Sequence, residues 1–302
     1  MSIALYRRRA RVQVGPIVTD GLRTTFRVER TLRRTPNSVE VKVYNLSDAS
    51  RRAIEESRRR ADTGATDGLG HPIKRVFVSL EAGYESGVHR IFHGDVRRLR
   101  SYVEAPDILT EVNGGDGEVA SFTARVSRSY GRGTPVSVVL THLAEAMGVG
   151  IGNAVEAFRG VRLRDMSIFH DGTVISGPAA HELDMLCVGA GLEWSIQDDS
   201  LQVLPIDGAL GAAAIELTPN SGLIGAPSRD PITRIVQGKC LITPDVRPGR
   251  RVRVKSRFID EVIRVSRTTT SGDTHGQDWY IEFEGRRPRT RDIFGNPLYG
   301  TV

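Results

Sequence analysis

The 302-residue chain is 39 % hydrophobic and 26 % charged, close to globular averages, and its 32 Gly and 14 Pro supply punctuation for many short strands. At this length two or three packed units are expected rather than one core. No apolar run approaches the roughly 20 residues of a membrane helix, and the opening MSIALYRRRARVQV places charge where a signal peptide has its apolar region, so the chain is expected in the cytoplasm without membrane insertion.

The net charge of +6 and pI near 9.6 suit an acidic partner or nucleic acid, but the charge is scattered. Lys occurs only at positions 42, 74, 239 and 255, and Asp and Glu are interleaved with the arginines almost throughout. Cys187 and Cys240 are too few for a disulfide framework and lack CxxC spacing; both read as buried spectators.

In chain order, Phe26 to Arg30 and Val39 to Tyr44 alternate apolar and charged residues, the period of half-buried antiparallel strands, with a turn at Thr35-Pro36-Asn37-Ser38. Ser47 can cap a helix running to about Arg59, with Asp48 complementing its dipole. An exposed loop is expected from Ala61 to Gly70. Strand signals resume in Arg75 to Leu80, His89 to Val96, Ile108 to Val112 and Val119 to Val126, and Asn113-Gly114-Gly115-Asp116-Gly117 reads as a tight hairpin connection. Together these predict a closed or nearly closed β domain, residues 1–130, with the short helix 47–59 laid across it.

At Thr134-Pro135 the pattern changes. Thr134 reads as an N-cap with Pro135 in the first helical position, and Val136, Val139, Leu140, Leu143, Ala144 and Met147 form one apolar face that Gly148 ends. A second helix over about Pro178 to Ala190 leads into a hairpin, Leu192 to Gln197 and Leu201 to Leu204, turning at Asp198-Asp199-Ser200. Residues 131–208 are thus expected to form an α/β insertion domain. From 209 to 285 the chain is β again, with strands at Ile235 to Thr243, Arg251 to Lys255, Glu261 to Thr269 and Trp279 to Glu284. Residues 286–302 read as an extended arm.

Three passages carry a resemblance: Pro36 to Ser47, with a strand ending in Tyr44-Asn45-Leu46-Ser47; His181 to Leu204, with GLEWSIQD and LQVLP; and the ordered set Ser221 to Pro227, Gly238 to Leu241, Pro248-Gly249 and Ser271 to Tyr280. In pattern and order they resemble the baseplate or tail-tip hub proteins of long-tailed phages, kin to the late-control D proteins and the hub half of type VI secretion spikes. The resemblance implies a mainly β fold with two tail-tube-like β-barrels flanking a small α/β domain. It implies a homotrimer whose six barrels face the tail tube protein at one end and receive the spike or tail-tip protein at the other. Baseplate wedge and tape-measure proteins are further partners, and DNA is only transiting cargo. The place implied is the virion tail tip, assembled in host cytoplasm.

No GxSxG, HExxH, P-loop or local Cys/His pair marks an enzyme, and no cofactor is expected. Asp273-Thr274-His275-Gly276 with Asp278 has metal-ligating residue types, but as a loop between strands it reads as turn chemistry. His89 and His93, four apart on a strand, are about 13 Å from each other, too far to share a metal. Trp194 and Trp279 alternate with polar neighbours and read as core anchors. A tail-associated peptidoglycan hydrolase and a DNA-binding module stay open as alternatives. The candidate interaction surface is basic: Arg51, Arg52, Arg58, Arg59 and Arg60 on the first helix, and Arg286, Arg287 and Arg289 in the arm.

Overall fold

The computed structural model describes residues 7–63, 75–117, 124–159, 168–169, 171–211 and 213–288. The chain opens with β1 (Arg8–Val14), β2 (Ile17–Asp20), β3 (Thr24–Thr31) and β4 (Asn37–Tyr44). Helix α1 (Asp48–Asp62) begins at the predicted cap, where the Ser47 hydroxyl accepts from the Ser50 amide at 3.1 Å, and Ile54 is its buried anchor. Then come β5 (Phe77–Tyr84), β6 (Gly87–Glu104), β7 (Asp107–Asp116) and β8 (Arg125–Tyr130).

The middle of the chain holds β9 (Thr134–Pro135), α2 (Val136–Met147), α3 (Ala154–Arg159), β10 (Ile168–Phe169), β11 (Thr173–Pro178), α4 (Ala179–Gly189), β12 (Leu192–Gln197) and β13 (Ser200–Pro205). The rest is β14 (Ile215–Leu217), β15 (Leu223–Arg229), β16 (Val236–Leu241), β17 (Arg251–Lys255), β18 (Asp260–Asp273) and β19 (Trp279–Arg286), with a 3-10 turn at Pro219–Ser221.

Thirteen strands join in one sheet, in the order β15-β16-β19-β18-β3-β4-β7-β6-β5-β1-β2, with β17 on β18 and β14 on β17. Every pairing in it is antiparallel except β14 with β17. The central joint is β3 on β18, Thr31 opposite Arg267 through Thr25 opposite Asp273, which ties the first β segment to the last. One apolar core follows: Val12, Phe26, Val41 and Leu80 cluster with Val252, Ile263, Trp279 and Phe283. Among the described residues the ladder is an open path rather than a closed ring.

A second core is built from the middle of the chain. The apolar stripe predicted for the first helix of this region, Val139, Leu140, Leu143, Ala144 and Met147, meets Ala179, Leu183 and Cys187 of α4 and Trp194, Leu201 and Val203 of the β12–β13 hairpin. Gly148 ends α2 with φ of +67°, as its sequence position anticipates. Cys187 and Cys240 are both buried, which pushes each thiol up to about 12, with the Asp184 charge adding at Cys187.

Two local expectations are corrected. Asn113 to Asp116 are not a hairpin turn but the end of β7, paired with β4 on one side and β6 on the other. The glycines serve close approach: a Cβ on Gly114 would stand 2.6 Å from Val78 and 2.9 Å from Val39. The β6–β7 turn lies instead at Ala105–Pro106, a cis bond. Thr134 does not cap α2; Pro135 is the N-cap and makes no side-chain cap bond, because Thr134 and Pro135 pair with Phe169 and Ile168 and the Thr134 hydroxyl donates to the Gly131 carbonyl at 2.7 Å. The first helix runs to Asp62, so the expected 61–70 loop falls mostly outside the described residues, as do residues 119–123 of the Val119 to Val126 strand.

Candidate functional site

Alternation on β3 and β4 places Thr24, Phe26 and Val28, and Asn37, Val39, Val41 and Val43, on the inward face. Arg30 shares that parity, so two polar side chains enter the interior at one end of this strand pair. There they meet the tip of the β12–β13 hairpin, whose turn residues Asp198 and Asp199 take φ of +53° and +60°, the two-residue turn that Asp tolerates. The second core is fastened to the sheet at this seam.

The fastening is a connected polar network. Arg30 donates to the Asp198 carboxylate at 2.8 Å and to the Gln197 amide oxygen at 3.3 Å. Asn37 donates to the Ile196 carbonyl at 2.9 Å and accepts from the Thr31 amide at 2.9 Å. Gln197 donates to the Thr31 carbonyl at 2.8 Å. Beneath the turn, the buried Asp116 carboxylate accepts the amides of Asp198 and Asp199 at 2.7 and 3.0 Å. Burial pushes Asp116 up to about 6 against those amide bonds, and the nearby Asp199 and Asp198 charges add to the rise.

At the same seam the His93 Nε2 stands 3.2 Å from the Asp199 carboxylate, and its ring stacks on Phe77. The hydrogen bond to Asp199 holds His93 above its usual range despite burial. Burial likewise raises Asp95, whose ion pair with Arg75 at 3.2 Å pulls the other way. His89 is exposed on the same strand, and among the described residues no group of His, Cys, Asp or Glu has metal-site geometry.

Between this seam and α4 lies a cleft of about 800 Å³. Val188, Leu192, Trp194 and Ile206 give it an apolar wall, and its rim carries seven arginines against five carboxylates. Several pairs are closed: Arg34 with Asp184, Arg264 with Glu193, and Arg267 with Glu29 at 3.0 Å. Arg33, Arg286 and Arg287 stand exposed on the rim without an ion pair among the described residues.

The predicted basic residues are thus divided. Arg286 ends β19 and Arg287 follows it, both on the cleft; Arg289 lies outside the described residues. On α1, Arg59 and Arg60 both pair with Glu56, at 2.7 and 3.0 Å, Arg58 stands 3.7 Å from Asp62, and Arg51 pairs with Asp48 and donates to the Leu46 carbonyl. Arg52 is exposed. Most of this group is engaged within its own helix, which leaves little net field.

The Asp273 loop is a turn. Its carboxylate accepts from the His275 amide at 2.8 Å and pairs with Arg23 at 3.0 Å. Trp279 packs edge-on against Phe26 with centroids 5.5 Å apart, and the Trp194 indole donates to Asp184 at 2.7 Å, so both tryptophans anchor cores.

The other assembly features are backbone edges. Among the described residues β2 and β15 end the sheet, and β14 is free on the side away from β17. The outer half of β6, from Arg98 to Glu104, pairs with β7 alone among the described residues. Such edges present unsatisfied amides and carbonyls to any strand of matching register. No described helix is long and apolar enough to cross a membrane.

A family model described as Baseplate hub gp41 matches residues 9–263. No curated protein matches the sequence. Among solved structures, the chain is similar to the 43 kDa tail protein of prophage MuSo2 from Shewanella oneidensis, with TM-score 0.58 and 12 % identity over 93 % of this chain and 98 % of that one. It is similar to a tail protein from Neisseria meningitidis MC58, with TM-score 0.59 and 11 % identity over 93 % and 97 %. It is also similar to the E. coli c3393 protein, a component of the type VI secretion system, with TM-score 0.54 and 8 % identity over 96 % and 80 %. At these identities the likeness is one of fold.

Proposed function

The chain belongs to the baseplate hub gp41 family, a structural component of phage tails, and from that premise we propose that it works by closing a ring with copies of itself. In this reading two barrel-like halves, residues 1–130 and 209–285, flank the α/β insert 131–208, and three copies bring six such halves around a lumen. The ring joins the tail tube to the central spike, lets the tape-measure protein and then DNA through, and breaks no bonds itself.

The observation that carries this reading is the open sheet. A thirteen-stranded ladder ending in β2 and β15, with the outer half of β6 paired on one side only, leaves backbone groups that a neighbour's strand can satisfy. The networked seam supports it from the other direction: Arg30, Asn37 and Asp116 fix the insert against the sheet, so one subunit presents its surfaces at a set angle. A ring needs that rigidity, since small errors of angle accumulate around it.

The test is mass photometry and negative-stain imaging of the purified full chain, with and without tube and spike proteins. Trimeric rings are the expected result. A chain that stays monomeric under all of these conditions would overturn the reading.

A further inference from the structure

The Arg-rimmed cleft has a counterpart on the same chain. Three apolar side chains stand furthest into solvent: Ile232 at 89 %, Phe258 at 79 % and Val103 at 72 % exposure. Phe258 is flanked by Arg257, which lies over its ring. Ile232 sits in a turn whose Asp230 carboxylate is taken up by the amides of Ile232 and Thr233 at 2.9 and 2.6 Å. Beside Val103 is Glu104, exposed and without an ion pair among the described residues. Of these three, Val103 at the β6–β7 tip is the one with an exposed, unpaired carboxylate beside it.

The cleft offers the reverse. Val188 is 70 % and Ile206 46 % exposed on its apolar wall, and among the described lining charges without an ion pair the arginines Arg33, Arg286 and Arg287 outnumber the one carboxylate, Glu284. We propose that this cleft receives the β6–β7 hairpin tip of a second copy, Val103 covering Val188 and Ile206 while Glu104 meets the free arginines. The inference deepens the self-assembly reading and rests on it.

A chain cannot fill its own cleft this way. Strand β4 has Asn37 at the seam beside the cleft, and Tyr44 at the other end opposite Leu109, next to the hairpin tip, where Asn45 donates to Asp107 at 2.7 Å. Seven residue steps of about 3.3 Å hold the two surfaces ~23 Å apart along the strand. A contact between different patches at opposite ends is heterologous, and it closes a ring where the rotation permits. It also removes the exposed side chains of Val103, Val188 and Ile206 from water.

The experiment mixes two single variants of the full chain, Val103→Cys and Ile206→Cys, and adds a short bismaleimide. Buried Cys187 and Cys240 supply no background. At least tenfold more linked dimer in the mixture than in either variant alone is expected, and adding Glu104→Arg to the first variant should cut that yield by a similar factor. Equal yields in mixture and single variants overturn the contact. Wild-type rings that form while the variant mixture fails to link overturn the contact alone, whereas a wild type that does not assemble, together with a mixture that does not link, overturns the hub reading with it.

Discussion

The Arg30 guanidinium and the Asp198 carboxylate meet at 2.8 Å across the seam between the main sheet and the second core. Arg30 is on the inward face of β3, in register with Phe26 and Val28, and Asp198 is the first residue of a two-residue hairpin turn. A charge carried inward by strand parity thus finds its partner 168 residues along the chain.

Removing Arg30 should be costly. Arg30→Ala leaves Asp198 without its ion-pair partner in a mostly buried site and Gln197 with Asn37 as its remaining donor; breaking one side of such a pair costs about 3 kcal/mol. Urea unfolding followed by circular dichroism is expected to show that loss. Arg30→Lys should recover only part of it, because an ammonium cannot reach Gln197 and Asp198 from one planar fork. A loss near zero for Arg30→Ala would show that the seam does not depend on this pair.

The seam should also respond to pH. His93 has its folded value raised by Asp199, so its contribution is fully present below the unfolded value of about 6.5 and is lost as pH rises through the raised folded value. Asp116, raised to about 6, acts at lower pH: its penalty is absent below about 4, grows as pH rises toward 6 and is complete above that. Asp116 is common to wild type and His93→Gln, so between about pH 6 and 8.5 the difference between the two follows the His93 term. The melting-temperature gap between wild type and His93→Gln should therefore shrink over that interval, and a gap that stays constant or widens would contradict the assignment.

Glycine 94 is fixed by close backbone approach. A Cβ there would come within 2.5 Å of the Gly115 carbonyl oxygen, an atom of the paired strand β7 that cannot move alone. Gly94→Ala should destabilise by about 2 kcal/mol. Gly131→Ala, with nothing within 4 Å of the new methyl, is the matched control and should shift stability by less than about 0.5 kcal/mol. Equal effects in thermal denaturation would refute the packing account.

The thiols should be silent. With both pushed up to about 12 by burial, Cys187 and Cys240 hold almost no thiolate at neutral pH and are out of reach of reagent. Ellman's reagent should label neither in the native chain and both in guanidinium. Rapid native labelling of one would mean that its core opens locally.

How much of this was written in the sequence depends on whether the signal was local. Strand alternation in Val39 to Tyr44, the Ser47 cap, the apolar stripe of α2 and the Asp198-Asp199 turn each rest on a few neighbouring residues, and each is present in the fold. The Gly114-Gly115 pair misleads for the same reason: glycine's freedom suggests a turn, and only the nearness of Val78 and Val39 to Gly114 reveals that small size is what matters there.

The seam itself was half visible. Arg30 and Asn37 sit at inward positions next to Val28 and Val39, a departure that flags a buried polar role without saying toward what. By itself the sequence determined the mainly β class, the helical insert and the family pattern, because periodicity and turn chemistry act over a few residues. Tertiary structure alone decided that the first and last β segments share one sheet through β3 and β18, that Asp116 lies under a turn 82 residues away, and that the free arginines and the β6–β7 tip occupy opposite ends. Those outcomes depend on which distant strand edges pair, and the apolar alternation that buries one face of a strand is nearly the same for every partner it could have taken.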